Sequence, residues 1–431
     1  MDRMDTDEGG NVGARAGETP LVAAARAGDL FRVTVLLEEE DASGHGWDDD
    51  ERAAAYAAAV RAHHGGIAEL LLMRGAEAGR CAPDELIPLR EAVDSGSPAL
   101  VGALLAAGIR DRYPAAELAE LRALAAGWYE TGTAAGLRRR TGSPDEPVRT
   151  RVEDDEYSTV DEFTLGGLTV RDGHAAILTE LEERLGIRTP CDELVGRALA
   201  HDKDHPAWGR SAIQLSTDRR PEAWAAARTL RGDADPARRL FGAELMRLLE
   251  LFGETHDEEF CVLAVAALTD WAAEETDAAV LAEVLDGLHS YAGPRAEAAL
   301  LAHVGHPDAA VRRAVAIGLG TPAESTQLSD GARTALRTLL RDPDADVRAS
   351  ACRSVGGARS GGPALTDPLA ALLDDPERRV QLAAVHALAL HEDDRCLAAA
   401  DRLAPARPGF RSEENASLDL AWRHRRRREG G

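Results

Sequence analysis

Four ligand-type side chains crowd the stretch AHDKDHPAW: His201, Asp202, Asp204 and His205. Two histidines four apart on one helix could grip a zinc ion. Pro206 works against that geometry, because proline drives the preceding residue out of the α region. The pair is therefore expected in a turn between helices, and no metal or other cofactor is assigned. Lys203 is the only lysine, which removes most lysine-based chemistry. The five cysteines, Cys81, Cys191, Cys261, Cys352 and Cys396, lie far apart with no C-x-x-C pair. They are expected to be reduced, mostly buried thiols of a cytoplasmic protein. Neither a phosphate loop, a nucleophile elbow, an H-E-x-x-H helix nor a G-x-G-x-x-G turn occurs, so the chain is expected not to be an enzyme.

What remains is binding chemistry. Trp47, Trp128 and Tyr129 are scarce large aromatics in a chain only 4% aromatic, and interfaces often place their anchors on such residues. His63 and His64 stand together at a turn, where a partner could reach them. Each has a plainer explanation as well: packing for the aromatics, ordinary surface for the histidines. The acidic runs Glu153–Glu156 and Asp48–Asp50 are expected to be solvated loops. The formal net charge is −25, from 75 acidic and 50 basic residues. A chain this acidic is repelled by a phosphate backbone, so nucleic acid is an unlikely partner, whereas a protein or peptide with a basic face would be attracted. No 18-residue apolar run or secretion signal occurs, and no membrane association is expected.

The elements that must carry these residues are repeats. GHPDAAVRRAVAIGLG (Gly305–Gly320), RDPDADVRASACRSVGG (Arg341–Gly357) and DDPERRVQLAAVHALAL (Asp374–Leu390) share one grammar, and Pro307, Pro343 and Pro376 are 36 and 33 residues apart. A fixed period of that size signals stacked supersecondary units. Asp342 and Asp375 are placed at the N-cap with proline at the first helical position, and apolar residues such as Val347, Ala351 and Val355 follow at helical spacing. The D-P-x-x-x-V-R pattern resembles the HEAT repeat family. That resemblance implies an α-solenoid whose arginines, here Arg312 and Arg348, form a ladder to acidic residues of neighbouring repeats. Gln381 replaces the arginine in the last clear copy, as expected of a terminal repeat lacking a neighbour. The resemblance also raises enzymes. A HEAT-type hydroxylase holds two irons with several His-Glu pairs, and this chain has only His391-Glu392. A DNA glycosylase-like or bilin lyase-like enzyme is the alternative to a scaffold.

Upstream, TPLVAAARAGDLFRVTVLLEEE (Thr19–Glu40) resembles an ankyrin repeat, and copies follow at Ala54–Ala76 and Ile87–Gly108, with a degenerate one at Glu120–Gly142. Gly28 and Gly96 supply the helix–helix turn, which the second copy replaces with His63. The expected architecture is all-α, with two solenoids, ankyrin-like then HEAT-like. Residues 1–17 form a disordered leader, 18–142 the ankyrin-like repeats, 143–172 a linker with a short β-hairpin around Gly166-Gly167, 173–404 the HEAT-like repeats, and 405–431 a partly ordered tail. Fold analogy implies a non-catalytic scaffold that holds a protein or peptide along its grooves. Those grooves are expected to be predominantly acidic, with the Arg423–Arg428 tail competing for them in cis. The arginine-for-lysine bias points to a GC-rich bacterial source.

Overall fold

The computed structural model describes residues 18–43, 47–106, 110–217, 221–251, 258–291, 293–320, 328–358, 362–404 and 411–429. The expected leader, 1–17, lies outside them. The described residues are helical apart from one small sheet and the connecting turns, and the chain divides into two compact units: Met1–Thr189 with Asp204–Ala207, and Pro190–Lys203 with Trp208–Gly431.

The first unit runs α1 (Pro20–Ala27), α2 (Leu30–Ser43), α3 (Asp49–Arg61), α4 (Gly65–Met73), α5 (Leu89–Ser95), α6 (Pro98–Leu104), α7 (Ala115–Thr131), α8 (Thr133–Thr141), β1 (Val148–Glu153), β2 (Thr159–Leu165), β3 (Leu168–Arg171) and α9 (His174–Arg184). Successive helices pair, and small residues such as Ala25, Ala55, Ala59 and Ala92 let them approach around Leu21, Tyr56, Leu71, Leu100 and Leu104. Tyr56 Oη donates to Ala103 O at 2.8 Å, so its buried hydroxyl is satisfied. Thr19 and Ser97 cap α1 and α6 ahead of prolines. Asp48 caps α3 in a capping box with Glu51, and Asp49 and Asp50 pair with Arg80; this acidic run is structural, not merely solvated.

Residues 143–172, expected as a linker with a hairpin, instead form an antiparallel sheet of order β1-β2-β3. The hairpin between β2 and β3 is there, and both its glycines have positive φ (58° and 80°), as a two-residue turn matching the strand twist requires. The first strand was missed because VRTRVE has no apolar face; Arg149 and Arg151 both reach Asp161 instead. The unit also continues past the sheet, since α9 packs on α7 and buries Ile177, Leu178 and Leu181 in the first core. The expected start of the second array at 173 is thus too early.

The second unit runs α10 (Cys191–Leu199), α11 (Pro206–Thr217, whose first two residues belong to the first unit), α12 (Pro221–Leu230), α13 (Pro236–Leu251), α14 (Glu258–Ala272), α15 (Ala278–Gly287), α16 (Pro294–Ala302), α17 (Ala309–Leu319), α18 (Asp330–Leu339), α19 (Ala345–Gly357), α20 (Gly362–Ala371), α21 (Arg378–Leu390), α22 (Arg395–Leu403) and α23 (Arg411–Glu429). The second helices of each pair, α13, α15, α17, α19, α21 and α23, pack one on the next as a continuous row. Close approach depends on small residues: a Cβ on Gly320 would meet Ser354 Cβ at 2.2 Å, and one on Gly356 would meet Ala387 Cα at 2.9 Å. Ala351, wholly buried between these helices, has no room to grow. Ala351→Leu is expected to lower stability by about 1–3 kcal/mol in a thermal or urea melt.

One grammar starts every helix of this row from α13 to α21. Asp235, Asp277, Asp308 and Asp344 each accept from the backbone N–H two residues on, at 2.8–3.0 Å. Two residues before the cap, Asp233, Glu275, His306, Asp342 and Asp375 accept from the backbone N–H of the residue at the cap position, at 2.9–3.1 Å. The caps are therefore Asp344 and, without a side-chain bond, Glu377, not Asp342 and Asp375 as expected. Pro307, Pro343 and Pro376 precede the cap rather than follow it. Asp342 and Asp375 are held back by a longer-range demand: Arg312 grips Asp342 with two bonds of 2.7 and 2.8 Å, and Arg348 grips Asp375 with two of 2.8 and 2.9 Å. Each arginine also donates to two carbonyls of its own loop. Arg239 does the same toward Glu275. Burial works against ionising Glu275, yet bonds from Arg239, the Asp277 N–H, Trp271 and the Thr276 N–H outweigh it and hold its carboxyl at about 2. Gln381 keeps the bond to its own loop, through Asp375 O at 2.6 Å. It is not a terminus without a neighbour, because Arg378 reaches forward to Glu414 on α23.

The tail is likewise not a competitor in cis. Within the described part, α23 ends the row on α21 and α22, burying Leu418 and Ala421, with His424 3.0 Å from Asp394 and Arg425 2.7 Å from Asp401. Residues 405–410 and 430–431 lie outside the described residues.

Candidate functional site

In the first unit the five candidate contact residues separate by burial. Trp47 is half-buried against the core. Trp128 is 8% exposed and packs α7 on the sheet with Leu137, Leu165 and Val170. Its indole stacks on His174 at 5.2 Å and donates to Asp94 at 3.0 Å, so it anchors the fold and is not offered to a partner. Tyr129 is half-buried and packs against the small cluster of Ala175, Ala176 and Ala207. His64 sits over Gly28, where an added Cβ would meet its ring at 2.6 Å, and burial keeps its imidazole below the usual range.

His63 differs from the other four. It takes φ 61°, the left-handed conformation that Gly28 (75°) and Gly96 (72°) adopt at the equivalent turns. A non-glycine residue there is strained, and its 3.3 Å approach to Glu91 is too exposed to offset much of the cost. It lines a pocket of about 450 Å³ with Glu91, Asp94, Arg140, Glu162 and Arg171. His63→Gly should therefore raise stability by about 0.5–1 kcal/mol, read from urea midpoints.

His201 and His205 do not share a helix, as Pro206 led one to expect: both lie between α10 and α11. His201 follows α10 in the second unit, while His205 is buried in the first, 3.2 Å from Asp172 and accepting from Ala207 N. His391 ends α21 with its ring 2.9 Å from Val355 O, and Glu392 follows it at φ 55°.

The surface that sequence reasoning missed lies on the row of the second unit. Residues nine after each cap position are Glu244 on α13, Asp286 on α15, Ile317 on α17, Arg353 on α19 and His386 on α21. All five reach solvent; on α19 only Arg353 and Gly357 are exposed. Their chemistry changes along the row. At one end Trp208 donates to Glu244 at 2.6 Å, Arg247 binds Glu283 at 2.7 Å, and Lys203 stands 3.6 Å from Glu283. Arg247 is 3.9 Å from Asp286, so its charge is largely spent on Glu283. Burial and the Glu283 charge raise the carboxyls of both Glu244 and Asp286 above the usual range. At the other end Arg353 touches only Ser350 Oγ, at 3.4 Å, and has no carboxylate partner among the described residues. Burial and the Arg353 charge lower His386. The track is thus acidic at its α13–α15 end and basic at its α19–α21 end. Aligning the three obvious copies on the correct cap would have revealed the offset of nine.

Residues 332–408 match the family model for HEAT repeats. No curated protein matches the chain. Among solved structures, Escherichia coli YibA is similar at 18% identity and a TM-score of 0.40, over 55% of this chain and 93% of that one. A HEAT-like repeat protein of the archaeon Thermococcus onnurineus is similar at 17% and 0.36, over 55% and 98%. Human deoxyhypusine hydroxylase is similar at 17% and 0.26, over 57% and 91%. At these identities the likeness concerns the helical fold alone.

Proposed function

We propose that the chain is a non-catalytic interaction protein and that the α13–α21 row of its second unit receives a protein partner. The observation that supports this is the accessible track at that row, whose charged ends lack full partners while the helices around them are satisfied. The helix pairs of the first unit, with their Thr19-Pro20-Leu21 start and left-handed turns, fit an ankyrin-like array that adds a second surface at His63. The five cysteines carry no disulfide, as suits a cytoplasmic protein, and no described helix is long and apolar enough to cross a membrane. The scaffold assignment is tested by comparing proteins retained by the immobilised full chain with those retained by an Asp286→Ala, Arg353→Ala variant. A protein held stoichiometrically by the first and lost from the second supports it. Equal retention, or none, removes the support.

A HEAT-like enzyme is the second reading, and Glu244 is the residue that favours it. A carboxyl held above its usual range by burial and the Glu283 charge, and oriented by the Trp208 indole N–H, is what a general acid needs. Turnover of any substrate abolished by Glu244→Gln would replace the scaffold assignment.

A further inference from the structure

Five side chains at one structural offset make a graded track: two carboxylates, one aliphatic side chain, then a guanidinium and an imidazole. Among the described residues neither Asp286 nor Arg353 has an oppositely charged group closer than 3.9 Å. Asp286 faces Arg247 at 3.9 Å and feels the Arg313 and His289 charges from further off, Glu283 holds Arg247 and Lys203, and Arg353 has a hydroxyl contact only. Side chains that serve only solubility would carry no order, and clustered unpaired charge of one sign costs stability. An ordered gradient is instead complementary to one kind of object, a chain of opposite polarity. Neighbouring helices in such rows are about 8–10 Å apart, so four steps from α13 to α21 span roughly 32–40 Å, the reach of about 9–12 extended residues.

Building on the scaffold assignment, we propose that the track Glu244, Asp286, Ile317, Arg353, His386 binds an extended peptide segment of a partner protein that is cationic at one end, apolar in the middle and anionic at the other. The cationic block lies against Glu244 and Asp286, an aliphatic residue against Ile317, and the acidic block against Arg353. Because the order of charge, and not the total, is recognised, a segment of zero net charge binds as long as its charges are separated into blocks.

The test uses the full chain and four fluorescein-labelled peptides in anisotropy titrations at low salt. One is a diblock with four arginines, a short apolar centre and four glutamates; the second has the same composition with alternating charges; the others are octa-arginine and octaglutamate. The diblock should bind tightest, about tenfold better than the alternating peptide. Either Asp286→Arg or Arg353→Glu should weaken it about tenfold, and the double reversal should recover binding, because the inverted track accepts the peptide in the opposite direction. Circular dichroism melts confirm that these surface variants fold. Equal affinity for diblock and alternating peptides, or no recovery in the double reversal, overturns the graded track. So does a single-stranded oligonucleotide that binds the full chain more tightly than the diblock. Failure of the track while a partner protein is still lost from the alanine variant leaves the scaffold assignment standing; loss of both discards the row as a binding surface.

Discussion

Asp154→Ala is expected to cost the first unit about 3–5 kcal/mol and to release its sheet from the helices, visible as an early transition in urea unfolding. The side chain of Asp154 is fully buried. It accepts from Ser97 Oγ at 2.6 Å, from Ala99 N at 2.7 Å and from Arg171 at 2.9 Å. The carboxylate therefore caps α6 from outside its own chain segment while pinning the end of β3. Removing it leaves an orphan backbone donor at a helix start and a half-buried arginine with only Glu162 to satisfy it. Asp154→Asn keeps the shape but turns one acceptor oxygen into a donor, so either Ala99 N or the Ser97 and Arg171 side loses its acceptor and the loss should be nearly as large; Arg171→Gln tests the ion pair separately.

The second large effect is a pH response centred on His174. The ring is buried between the Trp128 indole and Gly96, and neither nitrogen has a hydrogen-bond partner of normal geometry. Burial lowers it to about 4, against the opposing pull of the Val93 and Asp94 backbone and of the Asp94 and Asp172 carboxylates. Between pH 6.5 and 4 the unfolded chain binds a proton that the folded chain refuses, so stability falls as pH falls through that window. The full loss is about 3 kcal/mol and is complete below pH 4, where both states are protonated. His174→Phe keeps the stack on Trp128 and should flatten the difference between urea midpoints at pH 7 and pH 4.5. An undiminished difference would place the response elsewhere.

Much of this fold is legible in the sequence because HEAT-like repeats write their rules locally. The D-P copies, the turn glycines and the Gly166-Gly167 hairpin are read from neighbours within a few residues. The misplacements share one cause, which is long range. Asp342 and Asp344 flank Pro343, and only the distant demand of Arg312 decides that Asp342 faces the previous repeat and Asp344 caps the helix. The burial of Asp154 inside an acidic run depends on an α6 terminus 55 residues away in sequence. Trp128 reads as an interface anchor until its partner His174, on α9, is known. The five-residue track was hidden because it is conserved in position and not in type: nothing links Glu244, Ile317 and Arg353 except their distance from a cap that sequence alone set two residues too early.

The arginine ladder has a gap. At the α15 position Leu281 stands where Arg239, Arg312 and Arg348 stand elsewhere, and in the following loop His306 stands where the acidic acceptor should be. Both halves of the pairing are missing together, and among the described residues no ion pair joins α15 to α17. In a nearly one-dimensional array, where each layer is stabilised only by its neighbours, the weakest junction sets where cooperativity ends. The layers from α17 to α23 are therefore expected to open separately from those before them, with amide exchange changing its protection level at this seam.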